Sequence, residues 1–182
     1  MENDKTSLVR ISSLDDLVNA LESGEYSDVI DQFDDLDISK NDLDPYIFWN
    51  QDYYTRNCIA KDDFFELIVL CWEKGQKTPI HSHDHQECFV KVLEGNFNET
   101  QFIWNESNHS MDQIGSDFIS QNEVTAVESE SVFHTLENTN RGRSISLHLY
   151  MKPIEKCEVY SKTEDRIITR ELSYYSHEGV LV

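Results

Sequence analysis

The sequence has little that would staple, kink or thread its chain through a membrane. Its 182 residues include only three prolines, six glycines and four cysteines, and no internal repeat, linker or low-complexity segment is visible. Cys58, Cys71, Cys88 and Cys157 form no Cys-x-x-Cys pair and are widely and irregularly spaced. The polar start Met1-Glu2-Asn3-Asp4-Lys5 carries no secretory apolar stretch, so structural disulfides are not expected and a cytoplasmic location is. No apolar run approaches the roughly 20 residues that span a bilayer. Positive charge is scarce: 15 Lys and Arg stand against 35 Asp and Glu, a formal charge of −20. Such a polyanion repels nucleic acid and anionic lipid, so the expected partners are small molecules, with no nucleic acid, no membrane and a monomeric chain.

What is present suits one globular domain of residues 1–182. Hydrophobic residues make up 38% and aromatics 11%, enough for a compact core. Acid is concentrated early, as in Asp31-Gln32-Phe33-Asp34-Asp35-Leu36-Asp37, a solvated face. The first 48 residues read as helical. Ser13 is placed to cap a helix with Asp16 three residues on, and Leu14, Leu17, Val18 and Leu21 form one apolar stripe. Gly24 suits the C-terminal cap. A second short helix follows from Ser27, with Val29, Ile30 and Phe33 inward.

Residues 49–182 read as strands. Candidates are 64–72, 88–93, 96–104 (across Gly95-Asn96), 124–127, 132–137, 144–151, 158–161 and 167–172. Many short strands separated by polar turns predict an antiparallel barrel or jelly roll. Cys71, inside Leu67-Ile68-Val69-Leu70-Cys71-Trp72, reads as a small buried hydrophobe.

The chemistry concentrates in Gly75-Gln76-Lys77-Thr78-Pro79-Ile80-His81-Ser82-His83-Asp84-His85-Gln86-Glu87-Cys88, followed by Gly95. Residues two apart on an extended strand face the same way, so His81 and His83 can grip one ion. Imidazole suits iron, zinc, copper and nickel alike. His134, with Asn138 four residues on, supplies a third nitrogen. The stretch Gly75…His81-x-His83…Gly95 resembles the first cupin motif, and His134-x3-Asn138 resembles the end of the second. Ser129 and Ser131 stand where that motif usually has Pro and Gly. Two alternatives stay open: the pair is His83/His85 in a shifted register, or Glu87 serves as a carboxylate ligand.

At the position where many cupins carry the Glu ligand stands Cys88. Three histidines without that carboxylate resemble the thiol dioxygenases, cysteine dioxygenase above all. The likeness extends through Tyr54-Thr55-Arg56-Asn57, Leu70-Cys71-Trp72, Cys88-Phe89, Leu93-Glu94-Gly95-Asn96, Glu99-Thr100 and Ser146-Leu147-His148-Leu149-Tyr150, with Cys157 after it. The resemblance implies a mainly β, cupin-type antiparallel β-barrel (jelly roll) with a small N-terminal helical cap. It implies one Fe(2+) per chain on His81, His83 and His134, with L-cysteine and dioxygen as substrates and cysteine sulfinic acid as product. Arg56 would clamp the substrate carboxylate, with Tyr54 beside it. Cys88 and Tyr150 would form a thioether cross-link, and Ser146 and His148 a hydrogen-bonded relay that orients Tyr150. A dioxygenase for another small thiol such as 3-mercaptopropionate is the alternative within the class, though that subfamily typically has Gln in place of Arg56. A non-redox metal-binding cupin is the alternative outside it. The chain departs from the family at Met151-Lys152-Pro153, where Ser-Pro-Pro is common, and at Glu87, whose charge is expected to raise the Cys88 thiol pKa.

Overall fold

A computed structural model describes residues 10–83, 86–127 and 132–182. His85, Ser129 and Ser131 lie outside the described residues. The chain divides into two compact units, Met1–Pro45 and Tyr46–Val182.

The first unit is helical for the reasons its sequence gives. Helix α1 spans Leu14–Glu22, and the Ser13 side chain accepts from the Asp16 backbone N–H at 3.1 Å. That bond satisfies one of the donors a helix start leaves unpaired. Leu14, Leu17 and Leu21 are buried as the stripe requires, while Val18 is half-buried and Ala20 takes a fully buried place. The chain leaves the helix through Gly24 at φ +80°, a backbone state that costs glycine little. Helix α2 covers Tyr26–Gln32, and α3 covers Lys40–Leu43. Val29 and Phe33 are buried, and Ile30 is half-buried.

The second unit is a jelly roll of short, mostly antiparallel strands. They are β1 (Thr55–Lys61), β2 (Glu66–Trp72), β3 (Cys88–Glu94), β4 (Asn96–Asn105), β5 (Ser110–Ser120), β6 (Val124–Val127), β7 (Phe133–Asn138), β8 (Ser144–Tyr150), β9 (Lys156–Ser161), β10 (Arg166–Glu171), β11 (Ser176–His177) and β12 (Val180–Leu181). They form three sheets, ordered β12-β11-β1-β2-β8-β3-β6, β5-β4-β7 and β10-β9. This is the expected cupin-type antiparallel jelly roll, built from separate sheets with no single ladder running around the described residues. Isolated bridges at His81–His134 and His81–Val159 join the segment before β3 to strands of the two smaller sheets.

The centre of the large sheet explains the uneven hydrophobic pattern. Every residue of β2 and β8 is buried, so both faces must be apolar or internally bonded. One face carries Ile68, Leu70, Trp72, Val90, Val92 and Tyr150 into a shared core with Phe97, Leu136 and Val159. The sequence places the start of β2 at Phe64, but Phe64 is exposed. Its N–H and that of Phe65 both donate to Asp62 Oδ1, at 2.7 and 3.0 Å, which makes this a side-chain-stabilised turn.

Gly95 joins β3 to β4 and is fixed by two requirements. Its φ is +86°, and an added Cβ would fall 1.9 Å from Ser144 Oγ. Ser144 cannot yield freely, because its hydroxyl donates to Asn138 Oδ1 at 2.8 Å. Gly95→Ala should therefore lower stability by about 2–4 kcal/mol, combining left-handed strain with overpacking. Urea denaturation checks this against Gly142→Ala, where an added Cβ meets nothing within 4 Å. Equal stability of the two variants would contradict it.

Candidate metal centre

The three histidines meet because a short segment pairs across two sheets. Residues 75–83 run antiparallel to β7: the Gly75 N–H donates to Asn138 O, the Thr78 N–H to Leu136 O, and His81 and His134 exchange both backbone bonds at 3.0 and 2.9 Å. On its other side the segment bonds β9 through Ser82 N–H to Glu158 O and Tyr160 N–H to Ile80 O. Directly paired residues point their side chains to the same face, so His81 and His134 converge across a gap of 53 residues. His83, two residues on, joins them.

Asn138 has a structural task in this arrangement. Its amide donates to Glu73 O and Gly142 O at 3.0 Å each and accepts from Ser144 Oγ and the Asn140 N–H. It thereby closes the turn from β7 to β8.

Ligand atoms of His81, His83 and His134 lie within 4.8 Å of one another. His83 Nε2 and His134 Nε2 are 3.0 Å apart, a span one ion bridges at metal–nitrogen distances of about 2.0–2.1 Å. The opposite ring nitrogens of His81 and His134 are held. His81 Nδ1 donates to Pro79 O at 3.0 Å, and His134 Nδ1 donates to Glu99 Oε1 at 2.5 Å. Such bonds fix the tautomer that presents Nε2 as a ligand. Burial, and then the neighbouring His134, pushes the His81 pKa down to about 3 and holds His83 well below its ordinary range. Both rings are thus neutral and able to ligate. The donor set fits a divalent metal of the imidazole-binding kind.

Glu99 is a site residue that reading by motif passes over. Burial opposes its charge, but the hydrogen bond from His134 holds its carboxyl below the usual range. Thr125 Oγ1 donates to its other oxygen at 2.9 Å. The signal is in β4: Phe97 is buried, so Glu99 at period two must also point inward, and a buried carboxylate requires donors. Glu87, by contrast, is exposed and outside the histidine cluster, which corrects the carboxylate-ligand alternative.

The remaining expected residues surround this cluster. Cys88 and Tyr150 are direct partners across β3 and β8. Burial first, and Cys88 next, raises the Tyr150 pKa well above its ordinary value; burial also drives the Cys88 thiol up, with Glu66 and Glu99 contributing. Glu87 is not among the causes, so the expected charge effect is replaced by desolvation. Tyr150 packs edge-on to His83 at 5.6 Å between ring centroids.

Trp72 Nε1 donates to Ser146 Oγ at 2.9 Å, and Ser146 Oγ lies 2.8 Å from His148 Nε2. This Trp72–Ser146–His148 chain meets Tyr150 as stacked rings, with His148 6.3 Å away. Tyr54 stacks on Trp72 at 4.4 Å. A cleft of about 520 Å³ is lined by Tyr54, Arg56, Pro79, Arg170 and Tyr174 among others, so Arg56 and Tyr54 share a wall. Arg56 is also paired, its Nη2 donating to Glu66 Oε1 at 3.2 Å.

The sequence is similar to cysteine dioxygenase type 1 of Danio rerio, 26% identical over 186 aligned positions that cover 97% of this chain and 92% of that one. It is also similar to the Homo sapiens protein of that name, 28% identical, covering 74% and 69%. Among solved structures, a conserved Klebsiella pneumoniae protein with a double-stranded β-helix domain aligns with a TM-score of 0.48 at 14% identity, over 60% of this chain and 81% of that one. The profile of the family described as cysteine dioxygenase type I matches residues 5–163, and the chain belongs to that family.

Proposed function

We propose that this chain is a non-haem ferrous dioxygenase that converts L-cysteine and dioxygen to cysteine sulfinic acid. The observation that carries the reading is the triplet of half-buried His81 and buried His83 and His134, with no carboxylate in the cluster among the described residues. Three neutral imidazoles leave a divalent ion its full charge and open positions, which favours an incoming thiolate. Ferrous iron held there would supply the redox chemistry that triplet dioxygen needs and that zinc lacks.

The protein's own groups then divide the work. His81 and His134 are oriented through Pro79 O and Glu99, so the ligand set is built before substrate arrives. Arg56, on the cleft wall, would bind the substrate carboxylate, for which a guanidinium fork is suited. Tyr54 would pack against the substrate from the same wall. Tyr150 would present its hydroxyl to the oxygen chemistry, positioned by Cys88 on one side and by His148, through Ser146 and Trp72, on the other. The buried strands β2, β3 and β8 exclude bulk water from this face.

A dioxygenase for 3-mercaptopropionate would use the same metal chemistry but needs no contact to an amine. Arg56, rather than Gln, favours cysteine. Arg56→Ala should raise KM for cysteine roughly tenfold or more, the worth of a charge-assisted contact. KM for cysteamine, which has no carboxylate, should hardly move. Steady-state oxygen uptake with both thiols checks this, and equal effects on the two would remove Arg56 from the clamp.

A further inference from the structure

We propose that Glu66 sets the carboxylate selectivity of the thiol site by compensating the charge of Arg56, an inference that rests on the thiol-binding reading above. Glu66 is fully buried on β2 and sits directly opposite Tyr150 across the β2–β8 ladder. Its carboxylate has a donor on each oxygen. Arg56 Nη2 reaches Oε1 at 3.2 Å, and the Ile154 N–H reaches Oε2 at 2.7 Å. The Tyr174 ring faces the Arg56 guanidinium at 5.9 Å.

A buried carboxylate with both oxygens held has no reason to leave, so the pairing belongs to the fold. The consequence for the cleft is electrostatic. Arg56 is buried apart from 13% of its side-chain surface, and its Nε finds no partner among the described residues. Glu66 thus occupies one arm of the fork and cancels much of the cation's field at short range, where the local dielectric screens little. A thiol with a carboxylate is still preferred, since part of the fork remains, but the preference is smaller than a lone buried cation would give. Glu66 acts through Arg56 and is a positioning residue.

Glu66→Gln tests this, because it keeps the shape and a carbonyl acceptor while removing the charge. The readout is anaerobic titration of cobalt(II)-loaded protein with L-cysteine and with cysteamine, followed by the thiolate-to-cobalt charge-transfer band. The variant should bind L-cysteine about tenfold more tightly, about 1.4 kcal/mol, with cysteamine affinity unchanged. In an Arg56→Ala background the gain should vanish. A gain in affinity is not what structural damage produces. Weaker binding of both thiols, or no change in either, overturns the role of Glu66. Should Glu66→Gln fail to fold, the parent decides: a preference for L-cysteine over cysteamine of about tenfold supports compensation, and one of a thousandfold overturns it. If neither thiol binds the parent, the thiol reading itself falls and takes this inference with it.

Discussion

His83→Ala should yield a folded protein that retains no stoichiometric iron and shows no measurable thiol oxidation. His83 contributes one of three nitrogens, and its Nε2 faces His134 Nε2 at 3.0 Å, so nothing nearby among the described residues replaces it. The fold should survive, because the segment carrying His83 is held by backbone bonds from Ser82 and His81. A graded comparison sharpens the result. Glu99→Gln keeps an acceptor for His134 Nδ1 but removes its charge, and loss of such an outer partner typically costs about 10–100-fold in metal affinity. Metal analysis after equilibrium dialysis should rank parent, Glu99→Gln and His83→Ala in falling order. Iron lost on His85→Ala and on His83→Ala but kept on His81→Ala would move the ligand register by two residues.

The second large effect concerns Tyr150. Tyr150→Phe should cost more activity than Cys88→Ser, because it deletes the hydroxyl while the other deletes only a restraint upon it. The two residues stand opposite each other on β3 and β8. A thioether between the Cys88 sulfur and the Tyr150 ring removes one hydrogen from each, with dioxygen as the oxidant. Intact mass should fall by two hydrogen atoms after incubation with iron, cysteine and oxygen, and a faster band should run on denaturing gels. Cys88→Ser should abolish both changes. The reaction should be slow and incomplete, because burial holds the thiol in its protonated, less nucleophilic form. The tether would pre-organise the hydroxyl and so reduce the entropy lost on reaching the reactive geometry. Greater damage from Cys88→Ser than from Tyr150→Phe would mean that Cys88 acts at the metal itself.

The metal triplet was legible in sequence because its spacing encodes strand geometry. His81 and His83 are two apart, and His134 carries the His-x3-Asn signature whose Asn138 closes the adjoining turn. The alternation Ser146-Leu147-His148-Leu149-Tyr150 likewise places Ser146, His148 and Tyr150 on one face. What escaped is what lacks periodicity or depends on a distant partner. Strand β5 fully buries only Ile119, so no apolar alternation marks it. Strand β1 contains a buried Asn57 that looks polar in sequence. Asn57 is satisfied inside by Val69 O at 3.2 Å and Ser176 Oγ at 2.9 Å, a pairing across 119 residues. Glu66 and Glu99 read as ordinary strand acids until the groups that bond them are seen.

The central claim is that this histidine triplet supports oxidation of a thiol by dioxygen. The most direct test is oxygen uptake by iron-loaded protein supplied with L-cysteine, with cysteine sulfinic acid quantified alongside. The account predicts consumption of one dioxygen per sulfinic acid formed, and none when zinc replaces iron. Iron-loaded protein that consumes no oxygen with L-cysteine or any other small thiol would contradict it.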